Sequence, residues 1–177
     1  MGRVRIIAGE FGRRRIETPD SGLTHPMGER VRGALFNSLG DISGLKVLDA
    51  FAGSGAVGME ALSRGAKSAE FVENDRRAVR ILHKNIETLQ IHERTRVRAM
   101  GVGKFLGMSD ELFDLVFADP PYNFIKWGLV ERLWEKIREG GRLVVSHGKD
   151  NDELRLPADR KIFEGVYAEA KIEIFEK

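Results

Sequence analysis

The chain has 177 residues, a formal net charge of +2 from 29 lysines and arginines against 27 aspartates and glutamates, and no cysteine. That length suits one domain with a sound core, and the missing cysteines exclude disulfides and thiolate metal sites and fit a reducing cytoplasm. The four histidines (His25, His83, His92, His147) show no ligand spacing, no apolar run approaches the ~18 residues of a membrane span, and no apolar signal core opens the chain, so a soluble, metal-free, cytoplasmic protein is expected.

In chain order, the first fifteen residues carry Arg3, Arg5, Arg13, Arg14 and Arg15 against one acid, Glu10. Arg3–Ile7 and Arg15–Thr18 alternate enough for a small hairpin around Gly9–Gly12, so residues 1–24 read as a basic arm and 25–177 as the main domain. Pro26 marks the approach to a helix running to about Leu39, with Val31, Leu35 and Leu39 on one face. Strands and helices then alternate: strand Lys46–Asp49, helix Val57–Arg64, strand Ser68–Glu73, and a helix over 75–89. In that helix Ala78, Ile81, Leu82, Ile86 and Leu89 form the buried stripe and Asp75 is the expected N-cap. Strand Arg94–Ala99, a short helix near Gly103–Met108, strand Phe113–Ala118, helix Trp127–Arg138 and strand Arg142–His147 follow. The tail, Arg160–Val166 and Lys171–Phe175, reads as an antiparallel hairpin turning near Tyr167. The expected fold is α/β: a doubly wound, mostly parallel sheet with a C-terminal antiparallel hairpin and a small N-terminal hairpin extension.

Two segments carry chemistry. The first, Asp49-Ala50-Phe51-Ala52-Gly53-Ser54-Gly55-Ala56-Val57-Gly58, joins a strand to a helix, where glycines let the backbone turn tightly and approach a nucleotide-like cofactor. Gly53, Gly55 and Gly58 also fit the dinucleotide pattern G-x-G-x-x-G, with Glu73 at the ribose distance, so an NAD(P) oxidoreductase competes on this loop alone. Asp49 argues against a pyrophosphate and suits a cofactor with a cationic amino-acid end, such as S-adenosylmethionine. The chain also offers no second half for a dehydrogenase substrate domain.

The second segment, Asp119-Pro120-Pro121-Tyr122, ends the strand Phe113–Ala118. A carboxylate and the Pro120 carbonyl are acceptors for the two hydrogens of an exocyclic amine. The prolines hold the turn in one shape, and Tyr122 offers a face for a stacked base. A strand-end turn capped by aspartate is the plainer alternative.

These two loops and the acidic strand end at Glu73 resemble the class I S-adenosylmethionine-dependent methyltransferases that modify exocyclic amines. A narrower resemblance runs through Arg5-Ile6-Ile7-Ala8-Gly9, Arg30-Val31-Arg32-Gly33-Ala34-Leu35-Phe36-Asn37, Phe51-Ala52-Gly53-Ser54-Gly55 and Glu60-Ala61-Leu62-Ser63-Arg64-Gly65-Ala66. It is to the RsmD family, which implies a Rossmann-like class I methyltransferase fold and methylation of the N2 amine of a guanine in 16S ribosomal RNA during small-subunit maturation. The chain departs from the family's usual R-P-T-x-D/E-R-V-R by reading His25-Pro26-Met27-Gly28-Glu29-Arg30-Val31-Arg32. Where such enzymes often place a polar or acidic residue on the adenine, it reads Met100-Gly101-Val102-Gly103.

Glu73 is therefore expected to accept both ribose hydroxyls, with Asn74 lining the adenine side and Gly101 and Val102 packing the base. Gly53 and Gly55 pass the methionine portion, Asp49 lies near its amino group, and Phe51 is core or contact. Asp119, Pro120 and Tyr122 hold the acceptor amine, and Asp119 also borders the cofactor. Arg3, Arg5, Arg13, Arg14 and Arg15, with Arg30 and Arg32 of the first helix, meet RNA phosphates. The substrate is 16S rRNA, expected within a small-subunit particle, and the enzyme a monomer. Alternatives are an adenine-N6 DNA or RNA methyltransferase, a small-molecule amine methyltransferase, or a binding module that kept the fold without catalysis.

Overall fold

The computed structural model describes residues 2–19, 27–122, 125–150 and 154–177. His25 and Pro26, on which part of the departure from the R-P-T pattern rests, lie outside the described residues. The elements are β1 (Gly2–Arg5), β2 (Arg15–Thr18), α1 (Glu29–Leu39), β3 (Lys46–Asp49), α2 (Ala56–Ser63), β4 (Ser68–Glu73), α3 (Arg76–Leu89), β5 (Thr95–Ala99), α4 (Val102–Met108), β6 (Phe113–Ala118), α5 (Trp127–Arg132), β7 (Ile137–Gly148), β8 (Lys161–Tyr167) and β9 (Ala170–Glu176).

Seven strands form one sheet in the order β5-β4-β3-β6-β7-β9-β8. The pairs β5–β4, β4–β3, β3–β6 and β6–β7 are parallel, and β9 runs antiparallel to both β7 and β8. From β3 the chain steps outward through β4 and β5, then returns to place β6 on the other side of β3. The switch in strand order therefore falls between β3 and β6, and the carboxyl ends of these strands are Asp49 and Asp119's neighbour Ala118. Ligands of open α/β sheets bind at such a point.

Period-two alternation sorts the strand side chains onto two faces. Val47, Phe71, Leu115, Phe117, Val144 and Ile174 pack with α1, α2 and α3. Leu48, Val72, Val116, Leu143, Val145 and Phe175 pack with α4 and α5. In α3 the expected stripe is buried, and Asp75 caps the helix by accepting the Arg77 and Ala78 amides at 2.9 and 2.8 Å.

Three features differ from the sequence-based expectation. The helix expected over Trp127–Arg138 ends at Arg132, passes through a 3₁₀ turn at Leu133–Lys136, and gives way to a strand beginning at Ile137. The backbone there is claimed by the sheet, where Ile137 pairs with Phe113, and Lys177 Nζ donates to the Trp134 and Ile137 carbonyls.

The buried stripe of α1 is Arg32, Leu35, Phe36 and Leu39, with Val31 only half-buried. The hairpin β1–β2, in register Gly2↔Thr18 to Arg5↔Arg15, is fused to the main core rather than standing on solvated charge alone. Ile6, Phe11 and Ile16 are buried in the same apolar cluster as α1, α2 and α3.

Candidate active site

The glycine loop is held by carboxylates that end two strands. Asp49, 2% exposed, accepts the Gly58 amide at 3.0 Å. Gly55 is the N-cap of α2, so Gly58 is the third residue of the helix and its amide has no intrahelical partner. A dinucleotide fingerprint needs that positive helix end for a phosphate. Here the chain's own carboxylate takes one of its amides and sets a negative charge beside it, which argues against a pyrophosphate there.

The three glycines do different work. Gly53 has φ +53°, a conformation that favours glycine, and a Cβ added there would meet nothing. Gly55 has φ +82° and lies against Leu82, while Gly58 lies against Phe71, where a Cβ would stand 2.4 Å from a ring carbon.

Glu73 ends β4 and receives three backbone amides: Gly53 at 2.7 Å on one oxygen, Asn74 and Asp75 at 2.8 Å each on the other. Its carboxylate is thus fixed in direction before any ligand arrives: Oε1 is filled by two amides, and Oε2 keeps capacity for a further hydrogen bond. Between these strand ends lies a small cleft lined by Ala50, Phe51, Val72, Glu73, Asn74, Met100, Gly101 and Val102. Of the expected cofactor residues, Phe51, Glu73, Asn74, Gly101 and Val102 share its wall. Ala50, Val72 and Met100 also line it; being apolar beside a motif, they gave no sequence signal apart from core packing.

Asp119 follows β6 and is half-buried, Pro120 is buried, and Tyr122 is half-buried. The Tyr122 hydroxyl lies 2.8 Å from Ser146 Oγ, and Ser146, 1% exposed, also hydrogen-bonds Asp119. The sheet register explains this: Ala118 pairs with Val145, so the next residues along the two strands, Asp119 and Ser146, lie side by side. Ser146 escaped sequence reading because a serine within Leu143-Val144-Val145-Ser146-His147 declares neither its face nor its neighbour.

Electrostatically the site is a cluster of confined acids. Burial raises the Asp49 carboxyl to about 7 against the Gly58 amide, and the charges of Asp119 and Glu73 push the same way. Burial raises Asp119 to about 6, partly opposed by its hydrogen bond to Ser146. Burial and then the Asp119 charge raise the Tyr122 phenol to about 12. Asp49 feels both Asp119 and Glu73, so the three strand-end acids do converge. Among the described residues no group of histidines and acids could hold a metal ion.

The structure divides the expected RNA-binding arginines. Arg3, Arg13, Arg15 and Arg30 are exposed. Arg5 is exposed but paired with Glu29 at 2.8 Å, and Arg14 donates to the Thr88 carbonyl at 2.5 Å. Arg32 corrects the expectation: it is fully buried and cannot reach a phosphate. Its guanidinium donates to the Met27 and Arg5 carbonyls, and its Nε stands 3.6 Å from the fully buried Glu60. Glu60 in turn accepts the Ile7 and Ala8 amides at 2.7 and 3.2 Å and Arg64 Nε at 2.8 Å. Arg32 and Glu60 thus fasten the hairpin to the domain.

Comparison with known proteins identifies this architecture. A family model described as "Conserved hypothetical protein 95" matches residues 4–175. The chain belongs to this family, the RsmD family. It is 39% identical over 143 residues to the Ribosomal RNA small subunit methyltransferase D of Escherichia coli K12, covering 80% of this chain and 70% of that protein. The Haemophilus influenzae protein of the same name is 42% identical over 127 residues, covering 70% and 66%. Among solved structures, the "putative methyltransferase yhhF" of Escherichia coli superimposes with a TM-score of 0.88 at 31% identity over 99% of this chain and 98% of that one. The fold is that of a class I methyltransferase.

Proposed function

We propose that the protein transfers the methyl group of S-adenosylmethionine to the exocyclic N2 amine of a guanine in 16S ribosomal RNA, as a monomer acting in the cytoplasm on a maturing small-subunit particle. The observation that carries this is the Asp119–Ser146–Tyr122 constellation at the switch point, near the buried Asp49 and a cleft walled by an amide-fixed Glu73. The names of the family's relatives supply the substrate class, small-subunit ribosomal RNA.

The residues fit the cofactor. Gly53 leaves open space where a side chain would stand, Glu73 Oε2 keeps acceptor capacity for a ribose hydroxyl, and the wall of Val72, Met100, Gly101 and Val102 suits a flat base. A carboxyl raised by burial and by like charges, as Asp49 is, is the group that gains most from a cation beside it. When bound, S-adenosylmethionine supplies a methyl already made electrophilic by its sulfonium.

The chain must align the acceptor and free its lone pair. A guanine N2 lone pair is delocalised into the ring. Asp119 and the Pro120 carbonyl, taking the two N–H bonds out of the base plane, localise it toward the methyl. That interaction strengthens in the transition state, so it favours turnover over mere binding. Ser146 orients Asp119 and keeps it an acceptor, since its hydrogen bond favours the charged carboxylate. Tyr122, held through the same serine, stacks the base. In this reading residues 1–24 are the substrate-facing arm, fastened through Arg32 and Glu60 to the methyltransferase domain, 25–177, and Arg3, Arg13, Arg15 and Arg30 are its phosphate contacts.

The test is methyl transfer from labelled cofactor to unmodified small-subunit particles, followed by nucleoside analysis of the digest. N2-methylguanosine is expected. A methylated adenosine would replace guanine by adenine, and label on neither would refute the reading.

A further inference from the structure

The outward face of α3 carries an arrangement that stability alone disfavours. Opposite its buried stripe, the helix exposes Arg76, Arg77, Arg80, His83 and Lys84 against a single acid, Glu87. Arg76 and Arg80 are four residues apart, as are Arg80 and Lys84, while Arg77 and Arg80 are three apart, so like charges stack along the surface. Apart from the capping Asp75, whose carboxylate is taken up by the Arg77 and Ala78 amides, the first turn holds two arginines and no acid, at the end where the helix dipole is already positive. Lys84 is neutralised by Glu17 at 2.6 Å, but none of Arg76, Arg77 and Arg80 pairs with a carboxylate among the described residues. A merely solvated helix face would mix signs.

This face is continuous with the basic hairpin. Asn85 accepts the Glu17 amide at 2.8 Å and donates to the Glu17 carbonyl at 2.9 Å, and Arg14 reaches Thr88, so β2 lies along the C-terminal half of α3. Arg77, Arg80, Lys84 and Thr88 follow one another at three- and four-residue spacing, on one side of the helix. From Arg77 to Lys84 is about 10 Å at 1.5 Å per residue. The opposite end of the helix starts three residues after Glu73, at the rim of the cleft.

We infer that Arg76, Arg77 and Arg80 form, with the hairpin arginines, one phosphate-binding track that carries the backbone of the RNA substrate past α3 toward the cleft. The inference rests on the ribosomal RNA reading above. Charge complementarity selects the occupant: arginine forks match phosphate oxygens, and an anionic backbone cancels the repulsion that the helix otherwise tolerates.

The experiment compares wild type, R76Q/R77Q/R80Q and R76K/R77K/R80K for binding of naked 16S rRNA between 50 and 300 mM KCl, with thermal melting, S-adenosylmethionine calorimetry and methylation kinetics alongside. Glutamine keeps helix propensity, so the glutamine triple should melt at or above the wild-type temperature and bind cofactor unchanged. Each phosphate left without its arginine should weaken RNA binding roughly four- to fivefold near 0.15 M salt and flatten the log–log salt slope by about 0.7–0.9. The RNA KM should rise with kcat little changed, and the lysine triple should retain most of the slope. A glutamine triple with wild-type affinity and slope overturns the track and leaves the hairpin alone to hold RNA. A defect seen only with assembled particles also overturns it, by making the face a protein contact. Wild type that neither binds nor methylates small-subunit rRNA overturns the ribosomal RNA reading, and the track with it.

Discussion

Replacing Asp49 by asparagine should stabilise the protein while weakening its grip on the cofactor. Asparagine is isosteric and its carbonyl can still accept the Gly58 amide, so the loop keeps its one direct tie to this side chain. What is lost is a charge that burial and the neighbouring Asp119 and Glu73 oppose, raising the carboxyl from 3.8 to about 7. A carboxyl whose folded value lies above its unfolded value binds more protons when folded, so stability falls as pH rises between the two. The destabilisation is absent below about 3.8, grows between 3.8 and 7, and is complete above 7. At about 1.4 kcal/mol per pH unit the full effect is on the order of 4 kcal/mol. For a domain of this size that is roughly 5–15 °C in melting temperature. Thermal melts of wild type and Asp49→Asn from pH 4 to pH 8 should therefore nearly coincide at pH 4 and separate progressively, the variant melting higher. Calorimetry at pH 8 should show S-adenosylmethionine binding weakened at least tenfold, since a charge-assisted hydrogen bond contributes about 1.5–3 kcal/mol. A variant that melts lower at pH 8, or binds cofactor as wild type does, would refute the account of Asp49 as a strained acid awaiting a cation.

Three further outcomes test the rest of the site. Asp119→Ala should abolish methyl transfer with cofactor affinity within a few-fold, and wild-type kcat/KM should climb with pH through about 6 as Asp119 becomes an acceptor; comparable turnover in the variant removes its role. Ser146→Ala should lower kcat and move that acidic limb to higher pH, because the serine hydroxyl favours the charged carboxylate; an unmoved limb would reduce Ser146 to packing. Arg32→Ala should cost roughly 3–5 kcal/mol in urea unfolding by emptying a buried site, leaving the Met27 and Arg5 carbonyls without their donor and Glu60 with Arg64 as its one cationic partner, whereas Arg30→Ala should be nearly neutral for stability; equal effects would contradict the burial that separates the two arginines.

Much of this architecture could be read from the chain because its physics is local. Period-two alternation placed the strands, the stripe Ala78, Ile81, Leu82, Ile86 and Leu89 placed α3, and Asp75 announced its cap. The acids at strand ends pointed to a common site because open α/β sheets bring those ends together. Residues whose role depends on a distant partner were not legible. Arg32 read as a surface arginine, although 32, 35, 36 and 39 fit the helical i, i+3, i+4, i+7 stripe better than a stripe begun at Val31. Its partner Glu60 lies on another helix, and nothing short of the fold joins them. Asn85 lies inside the buried stripe of α3, and its place there names no partner. The structure gives it three backbone bonds, to the Glu17 amide, the Glu17 carbonyl and the Ser54 carbonyl.

Those long-range ties bear on how an enzyme with a small cleft could select one base in a large RNA. Helix α2 begins at the glycine loop and, within two turns, presents Glu60 to the Ile7 and Ala8 amides and Ser63 to the Phe11 amide and Ala8 carbonyl. Asn85 ties β2 to the same loop from the other side. The hairpin and the cofactor loop are therefore held to each other by buried hydrogen bonds, which are costly to break. Phosphates engaged by the hairpin and by α3 would be placed at a fixed offset from Asp119, where the acceptor amine must arrive. Phosphate contacts carry no sequence information themselves. On a folded RNA, a rigid offset would convert them into a choice of position, and in the proposed reading Asp119 and Pro120 would then need to accept only an exocyclic amine.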